Sequence, residues 1–553
     1  MKSLNKIFLA GAGVLTMTLY SFSVAAQKKD WEEIESVEIR IVKERQITLP
    51  KADRNFEKIP PRASEPIKPP ITYEFRSFSF QAPQLTPAIR PLKLKADTKT
   101  PVYGSYIRAG YGNYGTPLLE AYLNNRRDKN KLLGAHLFHT SSAKGPVDGK
   151  NSGNGLTGIS LYGRSLSEDV AVSGSLDFEN QFTHFYGYPK GLEVDEDTLR
   201  QSFKLFKLSG DVSNAKNSEF AYKLGAGFSH LSDKFDAQEW EVDINFKSAY
   251  ELDEKSRIDF RADFALITRK DSEVEAKPRS LFTLAPAYSF EAIENLKVSV
   301  GAIMAFENDT IDSKDVHFYP DLKAQYPISP SVDLVGTITG GIEKVSLQSL
   351  VHENLWLAPN VGVFHTNTFD FGLGINARVG NKVAVHSGLA LSNLKNWYNF
   401  VTSPEDQSKF VTVYDEGSVR RTNVYAALNY APSELAKFMI RGDVYKYIAG
   451  DLPEVWHRPT YKVTVHGSYN IVEKIILTAD LIAQGGMKAY DPATDATIKL
   501  DGAFDLNAKA EYIFSPSFSA FAQFNNITSN QYPIYLNYPV RGFQFLAGIT
   551  WSF

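Results

Sequence analysis

Strict alternation of apolar and polar residues, repeated from Val102 to the carboxyl terminus, limits this chain more than any other feature. In "TIKLDGAFDLNAKAEYIFS" (Thr497 to Ser515), Ile498, Leu500, Gly502, Phe504, Leu506, Ala508, Ala510, Tyr512 and Phe514 take one parity. Lys499, Asp501, Asp505, Asn507, Lys509 and Glu511 take most of the other. Period two places the two sets on opposite faces of a pleated strand. The pattern recurs in 22 segments, from "VYGSYIRAGY" to "FQFLAGITWSF". The ninth sets Ile258, Phe260, Ala262, Phe264 and Leu266 against Asp259, Arg261 and Asp263.

So many strands with one oily and one charged face suit a wall between lipid and water. A membrane strand needs about 9–11 residues, and the segments reach or exceed that. No run of about 18 apolar residues follows the first 26 positions, so the chain would cross a bilayer as a closed barrel, whose ring leaves no unpaired backbone in hydrocarbon. The 28 Tyr and 36 Phe supply the rings that such barrels place at both membrane surfaces. Connections alternate as well: "VGNK", "NIVEK" and "SPS" are short, whereas "SSAKGPVDGKNSGN", "HFYGYPKGLEVDEDTLR" and the stretch from Asn396 to Arg421 are long. Short turns on one side and long loops on the other predict an all-β, antiparallel, up-and-down transmembrane barrel of about 22 strands. The even count puts both ends of the barrel on the short-turn, periplasmic side.

The chain before the barrel differs in kind. Lys2 and Lys6, the apolar run Ile7 to Tyr20 and the small residues Val24, Ala25 and Ala26 read as a secretory signal peptide over 1–26, cleaved near Ala26/Gln27. Residues 27–101 hold ten of the 27 prolines, which favours an extended periplasmic arm over a compact domain. The barrel is expected over 102–553. The sequence contains no Cys, which removes disulfides, thiolate metal ligands and a cysteine nucleophile. A formal net charge of −3 gives no basic footprint for nucleic acid.

The end of the chain, "FNNITSNQYPIYLNYPVRGFQFLAGITWSF", resembles the carboxyl terminus of TonB-dependent receptors through Asn525, Asn526, Tyr532, Pro539, Arg541 and Gly542, followed by a last strand ending in Phe. The resemblance covers about Val102 to Phe553 and implies a 22-stranded barrel in the outer membrane of a Gram-negative bacterium. It also implies that Phe543, Phe545, Ile549, Trp551 and Phe553 form the signal read by barrel-assembly machinery. The Pro-rich arm stands where the family carries a folded plug, so a barrel without that plug is expected. "SVEIRIV" (Ser36 to Val42) is either a box that pairs with TonB or an ordinary extended piece of the arm.

No catalytic constellation is visible and no cofactor is expected. The ten His residues are scattered, and His136 and His139 have opposite parity. "DSKD" (Asp312 to Asp315) and "DPATD" (Asp491 to Asp495) read as solvated loop tips rather than calcium sites. Aromatics of the long loops, Phe185, Tyr186, Tyr188, Trp356, Trp397, Tyr398, Phe400, Trp456, Tyr535 and Tyr538, are candidates to contact a ligand or a partner protein, or else belong to the lipid-interface girdle. Two functions remain open. One is solute uptake across the outer membrane. The other is a structural role in a larger envelope assembly, with periplasmic or surface partners. A 22-stranded ring is roughly 35 Å wide inside its side chains, so either role requires something that closes it.

Overall fold

The computed structural model describes residues 104–553 except 126, 127, 129, 190, 192, 193, 217, 310, 312 and 313. The signal peptide, the arm, "SVEIRIV" and Asp312 lie outside the described residues.

In chain order the strands are β1 (Tyr106–Gly112), β2 (Thr116–Asn124), β3 (Lys131–Ser142), β4 (Asn154–Leu166), β5 (Val170–His184), β6 (Arg200–Asn214), β7 (Phe220–Asp233), β8 (Gln238–Asp253), β9 (Ser256–Lys270) and β10 (Arg279–Ile293). They continue with β11 (Leu296–Glu307), β12 (Val316–Ser329), β13 (Val332–Glu343), β14 (Thr366–Val379), β15 (Val383–Lys395), β16 (Tyr398–Thr402), β17 (Phe410–Tyr414), β18 (Ser418–Ser433) and β19 (Ala436–Ile448). The last are β20 (Tyr461–Ile471), β21 (Ile475–Gly485), β22 (Lys488–Asp491), β23 (Ala496–Lys499), β24 (Ala503–Ser515), β25 (Phe518–Asn525), β26 (Pro533–Tyr535), β27 (Tyr538–Pro539) and β28 (Gln544–Ser552). Three hairpins, β16–β17, β22–β23 and β26–β27, stand in loops. The other strands form one 22-stranded antiparallel sheet that closes where β1 pairs with β28, from Tyr106↔Ser552 to Gly112↔Leu546.

Each of the 22 alternating segments contributes one barrel strand, and the faces follow parity. On β9, Ile258 (44% exposed) and Leu266 (37%) point outward, while Arg257 bonds Asp259 and Arg261 bonds Asp263 inside. The outer face carries aromatics at two heights. Trp240 stacks on His230 at 3.8 Å near the long-loop end. Tyr288 with Phe290, Tyr430 with Phe438 and Trp551 with Phe553 lie near the short-turn end. Leu176, Leu208, Ile244, Leu373 and Ile440 are exposed between them. A continuous outward belt of this kind is stable against hydrocarbon rather than water.

The structure corrects the alternating stretch itself. Thr497 to Ser515 is not one strand: β23 pairs with β22 in a loop hairpin, and the barrel strand β24 begins only at Ala503. Leu500, expected to face lipid, is 5% exposed and packs with Met487, Ala489 and Leu536 among the loops. Its N–H donates to Met487 O, which turns the chain away from the wall before the lipid-facing run Phe504, Tyr512 and Phe514.

Candidate functional site: a folded cap on one barrel mouth

All the long connections emerge at one end, and they do not stand apart. Loops 185–199, 344–365, 396–417 and 526–543 share one apolar core with Phe203 and Leu231 from the inner wall of β6 and β7. Its centre is aromatic. Trp356 and Tyr538 have ring centroids 4.2 Å apart, Tyr186 and Tyr538 4.6 Å, and Phe410 and Tyr535 5.2 Å. Each buried phenol finds an acceptor, as buried polar groups must: Tyr535 donates to Glu353 O at 3.1 Å, Tyr186 to Pro539 O at 3.3 Å, and Tyr538 to Ser408 O. Gly187 lies against the Tyr538 ring so closely that a side chain there would collide with it.

Loop 344–365 crosses the mouth. Ser346 caps a short helix, Leu347–Glu353, through a reciprocal bond pattern with Ser349. The carboxylate of Glu239, on the inner face of β8, accepts the N–H groups of Leu347 at 2.7 Å and Gln348 at 2.8 Å. These are orphan donors of the first helical turn, and a carboxylate also suits the positive end of the helix. Leu350 and Val351 then point into the apolar core. Beyond the helix, Trp356 Nε1 donates to His184 O at 3.0 Å, and Trp356 O and Ala358 N bond the backbone of Phe410. The loop therefore touches β5, β8 and loop 396–417 within a dozen residues.

Its two ends are fastened to the wall by buried charges. Arg279, at the start of β10, holds Asp309 through two bonds of 2.8 and 3.0 Å, donates to Val345 O at 2.9 Å and reaches His365 Nδ1 at 2.9 Å. The same Nδ1 accepts from Val345 N at 3.1 Å, which requires a neutral imidazole. Burial, followed by the Arg279 charge, holds His365 down to about 4. Arg269 donates to Val361 O at 2.6 Å and pairs with Asp271, and Lys344 pairs with Glu241 and Asp243 of β8. On the far side, Arg458 bonds Glu353 at 2.6 Å beneath the Trp397 ring, and Tyr398 donates to the same carboxylate at 2.6 Å.

The aromatic candidates divide accordingly. Phe185, Tyr186, Trp356, Phe400, Tyr535 and Tyr538 belong to the apolar core, and Tyr188 and Tyr398 pack on its edge. Trp456 is buried beside Tyr490, and Trp397 packs with Tyr447 and Val455. None of the ten stands on the lipid face of a barrel strand. Phe543, Phe545, Ile549, Trp551 and Phe553 do stand on the outer surface, all more than a third exposed. The Asn526 of the terminal motif is buried, and its side-chain amide donates to Asn530 O at 2.8 Å and Arg541 O at 2.7 Å, clamping the two ends of loop 526–543. Glu239, Arg269, Arg279, Asp309, Lys344 and His365 were not singled out by the sequence reading. Inward parity at the loop end of a strand marks Glu239, Arg269 and Arg279, but nothing local marks their partners.

No protein-family model matches the sequence, and no curated protein matches it. Solved structures do. The FrpB iron transporter of Neisseria meningitidis superposes with a TM-score of 0.64 at 8% identity, covering 82% of this chain and 82% of that one. The ferric-catecholate import receptor Fiu of E. coli K12 gives 0.63 at 10% identity, with 82% of each chain covered. The siderophore receptor PirA of Acinetobacter baumannii gives 0.62 at 9%, covering 81% of this chain and 80% of its own. At such identities the likeness is one of fold, and it agrees with the strand count, the closure and the terminal motif: the described chain has the 22-stranded barrel of the TonB-dependent receptors.

Proposed function

We propose that this protein is an outer-membrane uptake barrel of a Gram-negative envelope, with the loop cap as its outer gate. The observation that carries the reading is the attachment of loop 344–365: it packs with three other loops in the apolar core and is tied to the wall by side-chain hydrogen bonds and ion pairs rather than by strand pairing. Such ties can be exchanged for water without disturbing the barrel. The structures of the same fold are named as receptors and transporters, which supports uptake in general. In this reading the aromatics of the cap core meet a solute only when the cap opens. The arm over 27–101 or a separate chain gates the lumen, "SVEIRIV" is the segment that would pair with TonB, and the outward terminal aromatics guide assembly after signal cleavage near Ala26/Gln27.

A second reading is favoured by the density of the cap core: a mouth sealed this well suits a structural subunit of an envelope assembly. The absence of native Cys makes one experiment clean for both. Glu353→Cys with Arg458→Cys places two thiols where the side chains of a 2.6 Å ion pair met; the shortened side chains stand beyond direct disulfide reach, so a short bis-methanethiosulfonate linker joins them in the full chain. If the cap is a gate, bilayer currents through the cross-linked protein vanish and return on reduction. Equal currents in both states overturn the gate. Stoichiometric envelope proteins that leave when residues 28–100 are removed would establish the assembly reading instead.

A further inference from the structure

Many charges of the inner wall stand in a recurrent arrangement, although Lys247 of β8 faces inward between Lys223 and Arg261 with no carboxylate paired to it among the described residues. On β9 Arg261 bonds Asp263 at 3.2 Å, on β19 Arg441 bonds Asp443 at 2.8 Å, and on β24 Lys509 bonds Glu511 at 2.9 Å. In each pair the partners are two residues apart on one strand, so both share the inward face while Phe264, Ile440 and Tyr512 face out. Lys323 and Asp321 repeat the device on β12 at 3.2 Å. Neighbouring strands add cross-strand pairs, Arg108 with Glu120 at 3.8 Å and Lys223 with Asp211 at 3.3 Å. The cations stay partly exposed: Arg261 by 44% and Arg441 by 45% of their side chains. They are therefore wall surface, not buried struts.

Cancellation at contact distance changes what the wall can attract. A lumen lined by one sign of charge focuses counter-ions and draws solutes of the opposite sign. A pair of opposite charges presents a dipole, whose field dies away within the Debye length of about 8–10 Å. What remains is short-range hydrogen bonding. A guanidinium or ammonium offers only donors and a carboxylate only acceptors, set in contact on residues whose Cα atoms stand about 6–7 Å apart along the strand. Hydroxyl and amide groups, which donate and accept at once, can use both. Serines extend the same surface: Ser175 bonds Ser209 at 2.9 Å and Asp177 at 2.8 Å, Ser289 bonds Ser299 at 3.1 Å, and Ser519 bonds Glu511 at 2.7 Å.

From this geometry we infer that the solute handled by the lumen is uncharged and rich in hydroxyl or amide groups, and that the wall is built to be neutral to ions of either sign. The inference rests on the uptake reading above. It departs from what an anionic metal chelate would ask of a wall, namely cations left without carboxylates beside them.

The test uses the full chain in planar bilayers under a salt gradient and in proteoliposomes. The wild type is expected to pass K⁺ and Cl⁻ within about twofold of each other, and liposomes to swell faster in raffinose than in sodium gluconate. Asp263→Asn leaves Arg261 unpaired and shifts permeability towards Cl⁻, and adding Arg261→Gln restores the balance. Asp443→Asn checks the same shift on another strand. A wild type that prefers one sign by about tenfold, or single variants that leave selectivity unmoved, would overturn the neutral wall. If neither solute nor current passes through the wild type or through a Trp356→Ala variant with its cap core disrupted, the uptake reading fails and takes this inference with it.

Discussion

The guanidinium of Arg279 lies 2.9 Å from Nδ1 of His365 and 2.9 Å from the carbonyl of Val345, so one side chain of the barrel wall grips both ends of the loop that crosses the mouth. His365 can sit there only as the neutral imidazole, because Nδ1 is an acceptor for Val345 and Arg279 is a fixed cation.

That constraint gives the cap a pH dependence of known sign. Burial and Arg279 hold the folded-state value at about 4, below the roughly 6.5 of an unfolded histidine. The unfolded loop therefore binds more protons between these limits. Its stabilisation is complete above about pH 6.5, falls as the pH drops towards 4, and is level below; the loss is at most about 3 kcal/mol. Asp309 opposes the shift and Lys344 adds to it. His457, in loop 449–460, is also held at about 4 by burial and acts in the same direction. Hydrogen exchange of loop 344–365, corrected for intrinsic rates, should show protection lost between pH 7 and 4.5, with a weaker dependence in His365→Asn. An unchanged profile would separate the loop from this histidine.

Glu239 should matter to the cap and not to the barrel. Glu239→Ala removes the acceptor for two buried N–H groups of the helix Leu347–Glu353 and should cost the cap about 1–3 kcal/mol. Limited trypsin treatment at Lys344 reports the loosening, while the heat-dependent gel shift of the intact barrel should stay as in the wild type.

Trp356→Ala deletes the ring that joins Tyr186, Tyr535 and Tyr538. Truncation of a buried aromatic costs about 3–5 kcal/mol, which should shift the cap towards open states. Bilayer currents of the variant should be open more of the time. Currents like those of the wild type would mean that the polar ties alone close the mouth.

The outward aromatics of β28 lead to a prediction about biogenesis. Trp551→Ala with Phe553→Ala removes exposed rings that touch no part of the cap, so the folded barrel should keep its properties once made. The amount assembled in the outer membrane should drop severalfold, measured by the gel shift of membrane fractions. Equal assembly would remove these residues from the signal.

The barrel was legible because each strand repeats one rule. Ile258 to Leu266 and Phe504 to Phe514 alternate because lipid and water lie on opposite sides of the same ribbon. The rule says nothing about where the ribbon leaves the wall. Leu500 keeps the parity of Phe504 yet belongs to a loop hairpin, packed on Met487 from the other arm of the same connection and on Leu536 from the last long loop. The aromatics of the long loops were legible as a group, but not their inward packing, because irregular backbone carries no period. The ties at Arg279 and Glu239 were invisible for a further reason: Arg279 and His365 are 86 residues apart, and Glu239 and Leu347 are 108.

The seam between β1 and β28 has a consequence for how the molecule can be made. Asn113 bonds Phe543 across 430 residues, and Tyr106 pairs with Ser552. Until the last strand is synthesised, both margins of the growing sheet expose a row of unshared amides, and the ribbon can recruit another chain at either one. The ring cannot be completed gradually: it is a hoop whose clasp is the final stretch of the polypeptide. A chain cut short by even one strand would have no mate for Tyr106 to Gly112, and its fate would be aggregation rather than a slightly smaller barrel.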